Sequence, residues 1–108
     1  MWVAVMTKDE KRYLNDVASL GCVACRNLGL GPTPAQVHHP RDKQGMGQRA
    51  DHADGIPLCP RHHLATYPTG FHAAPRIWQL EHGTEAELVE QTRREVAELR
   101  ANTIGRAS

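Results

Sequence analysis

The chain has 108 residues, 40% of them hydrophobic, and its aromatic content (two Trp, two Tyr, one Phe) allows one lean domain of the kind often reinforced by a bound metal. Seven histidines are a heavy load, and three cysteines are an odd number that excludes a complete disulfide framework and suits metal ligation in a reducing cytoplasm. The formal net charge of +1 removes any global electrostatic case for nucleic acid, and no apolar run approaches the roughly 18 residues of a membrane span.

In chain order, "MWVAVM" is too short for a signal peptide and lacks a cationic lead; residues 1–6 are expected to be a tail, an added strand or a stretch upstream of a start at Met6. Thr7 and Glu10 have the form of a capping box opening the helix "KDEKRYLNDVASL", which carries Tyr13, Val17 and Leu20 at helical spacing and stops at Gly21. "CVACRNLGLGPTPA" then reads as a Cys-x-x-Cys turn and a Gly/Pro-rich loop. A short strand "AQVHH" is broken by Pro40 and followed by the polar loop "RDKQGMGQRADHADG" and a second strand, "IPLC". Pro60 fits the first position of a helix "PRHHLATY" that should stop before Pro68. A helical stretch around "RIWQLEHG" ends at Gly83, with Trp78 and Leu80 expected in the core and His82 at the helix C-terminus, where a partial negative charge favours an imidazolium. A second capping box, Thr84 with Glu87, opens "EAELVEQTRREVAELR", whose apolar stripe is Leu88, Val89, Thr92, Val96 and Leu99.

Cys22-x-x-Cys25 and Cys59-x-x-His62 make a Cys₃His set with knuckle spacing, and a structural Zn²⁺ is the expected ion. A redox pair is the rival reading of Cys22 and Cys25, but no βαβ pattern surrounds them. Successive helical residues are rotated by about 100°. If His62 faces the knuckle, His63 points towards the hairpin, where it is best read as ligand to a second metal. The hairpin carries His38 and His39. One could bind an ion while its neighbour does proton chemistry, but strand alternation sends them to opposite faces unless the strand ends there. Pro40 makes an end plausible; the bland alternative leaves one of the two on the surface. Imidazole titrates near neutral pH, so an unliganded His39 could accept a proton from water. Arg41, Lys43 and Arg49, with two glycines, suit contact with a phosphate chain, though acidic neighbours nearly cancel their charge and a merely solvated loop fits the composition as well. His52 in the same loop reads as a surface residue.

The order of Cys-x-x-Cys, "VHH", "IPLC" and a histidine-bearing helix resembles the HNH, or ββα-metal, endonucleases. More closely, "LGCVACRNLGLG", "HHPRDKQGMGQRA", "GIPLCPRHH" and "GFHAAPRIWQLEHGTEAEL" resemble the phage recombination-enhancement (Ref) nucleases, from about Thr7 to about Glu90. The resemblance implies an α+β fold: a small zinc-stapled ββα-metal core at about 36–67, inside a single HNH nuclease domain spanning 1–108, with an N-terminal helix and C-terminal helices. It implies a metal-dependent endodeoxyribonuclease of phage or prophage recombination, leaving 5′-phosphate and 3′-hydroxyl ends.

Residue by residue, His38 resembles the catalytic-metal ligand of the first strand and His39 the general base. Asp54 stands at the position of the motif's middle asparagine, where a carboxylate could hold the loop or orient His39. His63 resembles the final histidine of the motif, and His72 in "GFH" matches a further ligand; Tyr67 stands where some relatives place one. Mg²⁺, Mn²⁺, Ni²⁺ or Zn²⁺ could occupy that site, imidazole ligands favouring the later transition metals. The implied partners are DNA, gripped through Arg41, Lys43 and Arg49, and a RecA-type recombinase filament. Relatives acting with RecA carry a long basic N-terminal arm, whereas few residues precede the first helix here. Two other classes compete: a catalytically inactive zinc module that binds nucleic acid, and a zinc-stapled protein-interaction domain.

Overall fold

The computed structural model of the protein describes residues 7–40 and 54–107. Helix α1 (Lys8–Ser19) opens on the expected capping box, with Glu10 N donating to Thr7 Oγ1 at 3.0 Å and Thr7 N donating to the Glu10 carboxylate at 2.8 Å. Gly21, at φ 81°, ends the turn beyond it, and a Cβ there would lie 2.8 Å from Pro32 Cβ. This close approach lets Cys22 N donate to Thr33 O at 2.9 Å. The Cys-x-x-Cys segment, expected as a turn, starts a short helix α2 (Val23–Asn27) in which the Cys22 sulfur is the N-cap acceptor for Cys25 N.

Strands β1 (Gln36–His38) and β2 (Ile56–Leu58) pair antiparallel, with Gln36 opposite Leu58 and His38 opposite Ile56. The first strand is shorter than "AQVHH" and ends at His38, so strict alternation does not govern His39. Pro57 is tolerated because a two-stranded sheet consists only of edges.

Helix α3 (Pro60–His63) has Pro60 in its first turn as expected, but stops well short of Tyr67, with Leu64 already extended at ψ 144°. The chain then doubles back. Phe71 N donates to His62 O at 2.8 Å and His72 N to His63 O at 3.1 Å, satisfying carbonyls that a longer helix would have used. Gly70 makes the return possible, since a Cβ there would sit 2.0 Å from Leu64 O.

Helix α4 (Pro75–His82) stops at Gly83, and the second capping box starts α5 (Glu85–Ala107): Glu87 N donates to Thr84 Oγ1 at 3.1 Å and Thr84 N to Glu87 Oε1 at 2.9 Å. Of the expected α5 stripe, Leu88, Val89, Thr92 and Val96 are buried and Leu99 is half-buried. Trp78 joins the core, whereas Leu80, expected beside it, is 87% exposed. Leu80 is two residues from Trp78 and so lies on another side of α4. The core gathers Val23, Ile56, Leu58, Phe71, Trp78 and Leu88 around the three cysteines. Small helices flanking a two-stranded sheet make this an α+β architecture. No described helix is long and apolar enough to cross a membrane.

Candidate metal centres

Two groups of metal-ligating side chains stand out among the described residues. Cys22, Cys25, Cys59 and His62 form the first, with all four donor atoms within 4.8 Å of one another. His62 Nδ1 lies 3.6 Å from the sulfur of Cys22, 3.4 Å from that of Cys25 and 3.3 Å from that of Cys59, and the sulfurs of Cys25 and Cys59 are 3.8 Å apart. A tetrahedral zinc ion with ordinary bond lengths needs S–S edges of about 3.8 Å and S–N edges of about 3.5 Å. The donor set therefore fits zinc. All three cysteines are buried free thiols. Burial pushes the Cys22 thiol up to about 11. In Cys59 burial acts the same way but is outweighed by hydrogen bonds, chiefly from the His62 amide, so its thiol is lowered. His62 is lowered by burial and then by the nearby His82. A cation able to bind thiolate and neutral imidazole resolves the cost of crowding such groups in the core.

The second group is His38, His63 and His72, again with donor atoms within 4.8 Å of one another. Ring centroids are 5.2 Å apart for His38–His63, 5.2 Å for His38–His72 and 4.9 Å for His63–His72. Imidazoles sharing one ion at about 2.1 Å have centroids separated by roughly 4.5–5.3 Å. His38 is buried, while His63 and His72 are half-buried, so the group opens to solvent on one side. Burial lowers His63 to about 4, helped by the proximity of His38, His72 and His39. At neutral pH its imidazole is uncharged, the form in which histidine binds metals.

The adjacent rings of His62 and His63 thus diverge into different centres, and one turn of α3 suffices to separate them. His72 reaches the second centre because its backbone is tied to His63 O. Phe71 packs its ring 4.5 Å from that of His38 and 5.3 Å from that of Trp78.

His39 lies just past β1, half-buried, and close enough to His63 to influence its charge, but it is not one of the three grouped imidazoles. Asp54 is 2% exposed and forms an ion pair with Arg93 of α5, and it is not a member of either group of donors. Arg41, Lys43, Arg49 and His52 lie outside the described residues, as does "MWVAVM".

Three residues with a place at the centres were not singled out as such from the sequence. Glu85 Oε2 lies 2.7 Å from His38 Nε2, and Gln36 Oε1 lies 2.8 Å from His63 Nδ1. His82, set apart in the sequence as a helix C-terminal residue, is last in α4 but also packs 4.6 Å from Trp78 and 5.3 Å from His62. The register of "HGTE" against the second capping box gave one usable signal, since it starts α5 at Glu85.

A family model described as recombination enhancement, RecA-dependent nuclease, matches residues 6–94. No curated protein matches the chain. The matched stretch holds every donor of both centres, and the family is one of nucleases, which implies a nucleic-acid substrate. With most of its length matched, the chain belongs to the recombination-enhancement, RecA-dependent nuclease family.

Proposed function

We propose that the protein is a metal-dependent HNH endonuclease that hydrolyses DNA phosphodiester bonds in phage or prophage recombination. β1, β2 and α3 would be its ββα-metal core, within a single domain spanning 1–108 that works in the cytoplasm. The observation that carries this reading is the convergence of His38, His63 and His72 on one point, open on one side and separate from the closed Cys₃His group. A closed set of four protein donors suits a structural ion, whereas three donors leave room for water and phosphate.

A divalent cation in the second centre, Mg²⁺, Mn²⁺, Ni²⁺ or Zn²⁺, would supply Lewis acidity that offsets charge on the phosphoryl oxygens and the leaving oxygen. His38, His63 and His72 would hold it through their ring nitrogens. His39, just beyond the strand end, takes the proton from the attacking water at its ring nitrogen. Asp54, buried and ion-paired with Arg93, holds the entry to β2 against α5. Arg41, Lys43 and Arg49 grip the DNA backbone through charge rather than base identity, so sequence preference is weak. The family description supports a RecA filament as the partner that presents the DNA.

Plasmid cleavage beside metal content by mass spectrometry tests the reading. His39→Ala is expected to lower cleavage roughly 100- to 10,000-fold while folding and metal content persist. DNA binding without cleavage under any of the four ions would overturn it in favour of an inactive nucleic-acid-binding module.

A further inference from the structure

The second centre has supports behind its three imidazoles. His38 and Glu85 meet at 2.7 Å with side-chain exposures of 1% and 4%, so this contact is withdrawn from water. An ionised carboxylate accepts hydrogen bonds and donates none. A carboxylate facing Nε2 favours a proton on that nitrogen, and in a neutral imidazole that leaves the lone pair on Nδ1. Withdrawing a carboxylate from water costs free energy unless it is strongly hydrogen-bonded, so its placement needs a cause beyond packing. The backbone supplies the placement: Glu85 is the first residue of α5, its N–H donates to Gln79 Oε1 at 3.0 Å, and the Thr84–Glu87 box fixes the turn around it.

The neighbouring ring has a matching arrangement. Gln36 Oε1 lies 2.8 Å from His63 Nδ1, so that nitrogen is engaged and Nε2 is the other ring nitrogen of His63. One supporting oxygen comes from α5 and the other from β1, so each ring is held by an element other than its own.

We propose that Glu85 is a positioning residue for the second metal centre: it locks His38 in the Nε2–H tautomer so that Nδ1 is the ligand atom. The inference rests on the reading of these histidines as ligands and adds which nitrogen His38 presents and what decides it. A carboxylate behind a ligating imidazole fixes its orientation and raises its basicity, and losing one typically costs about 10- to 100-fold in metal affinity.

The test uses the full chain with zinc in its Cys₃His centre. Nitrogen-15 NMR reads the His38 tautomer before any second ion is added, and calorimetric titration with Ni²⁺ then reads the second centre. Wild type should show His38 as Nε2–H. Glu85→Ala should mix the tautomers and weaken Ni²⁺ binding roughly 10- to 100-fold, with zinc content unchanged as the check on folding. Glu85→Gln, whose amide can either accept from Nε2 or donate to it, should fix the tautomer less firmly than wild type while losing less affinity than the alanine variant, and it carries the test should the alanine variant lose its zinc. His38 as Nδ1–H in wild type, or Ni²⁺ binding indifferent to both substitutions, overturns the proposal. Binding that depends on Glu85 in a protein that cuts no DNA would support the positioning role and sink the nuclease reading instead.

Discussion

His62 and His63 show how much chemistry one residue step can carry. The Cys-x-x-Cys and Cys-x-x-His spacings made the first donor set legible, because ligands three residues apart share a face of a turn. His63 followed by exclusion. Glu85 and Gln36 were not legible, because each meets its histidine across a long stretch of chain, 47 residues for His38–Glu85 and 27 for His63–Gln36. The capping box marks where α5 starts, but no local pattern says that its first residue meets His38. Gly70 is the residue on which the second centre leans most heavily at a distance. Its Cβ would sit 2.0 Å from a backbone oxygen that no side-chain rotation can move. Gly70→Ala should therefore destabilise the fold by roughly 1–3 kcal/mol, measured by urea denaturation. It should also weaken Ni²⁺ binding through displacement of His72, while the zinc of the Cys₃His centre stays in place. Unchanged affinity would show that His72 reaches its position by another route.

At the scale of elements, both capping boxes were visible in four residues each, and the helices they open begin where the sequence put them. Helix ends were harder. Nothing in "PRHHLATY" forbids a helix up to Pro68, and α3 stops after His63 where the N–H groups of Phe71 and His72 take the carbonyls of His62 and His63. That pairing is tertiary and leaves no mark in the segment itself. The start of α5 matters beyond its own stability, since the turn held by Thr84 carries Glu85. Thr84→Ala is expected to cost about 0.5–2 kcal/mol in chemical denaturation. It should also lower the affinity of the second centre by loosening the carboxylate behind His38. A full stability cost with unaltered Ni²⁺ affinity would separate the cap from the centre.

For the whole molecule, the three cysteines belong to the principal cluster of buried side chains. A chain with so few large apolar residues has little else to hold α2, the end of β2 and α3 together. Removing zinc with a strong chelator should therefore abolish the cooperative thermal transition or lower its midpoint by tens of degrees, with recovery on adding one equivalent of zinc. Circular dichroism with metal analysis reads both. A chelated protein that melts as before would show that the Cys₃His group does not need an ion to hold the core. The one-peptide separation of His62 from His63 also limits what lineages can change. Swinging a single extra residue into that step would rotate the downstream ring by about 100°, stranding one ligand whichever centre kept the other.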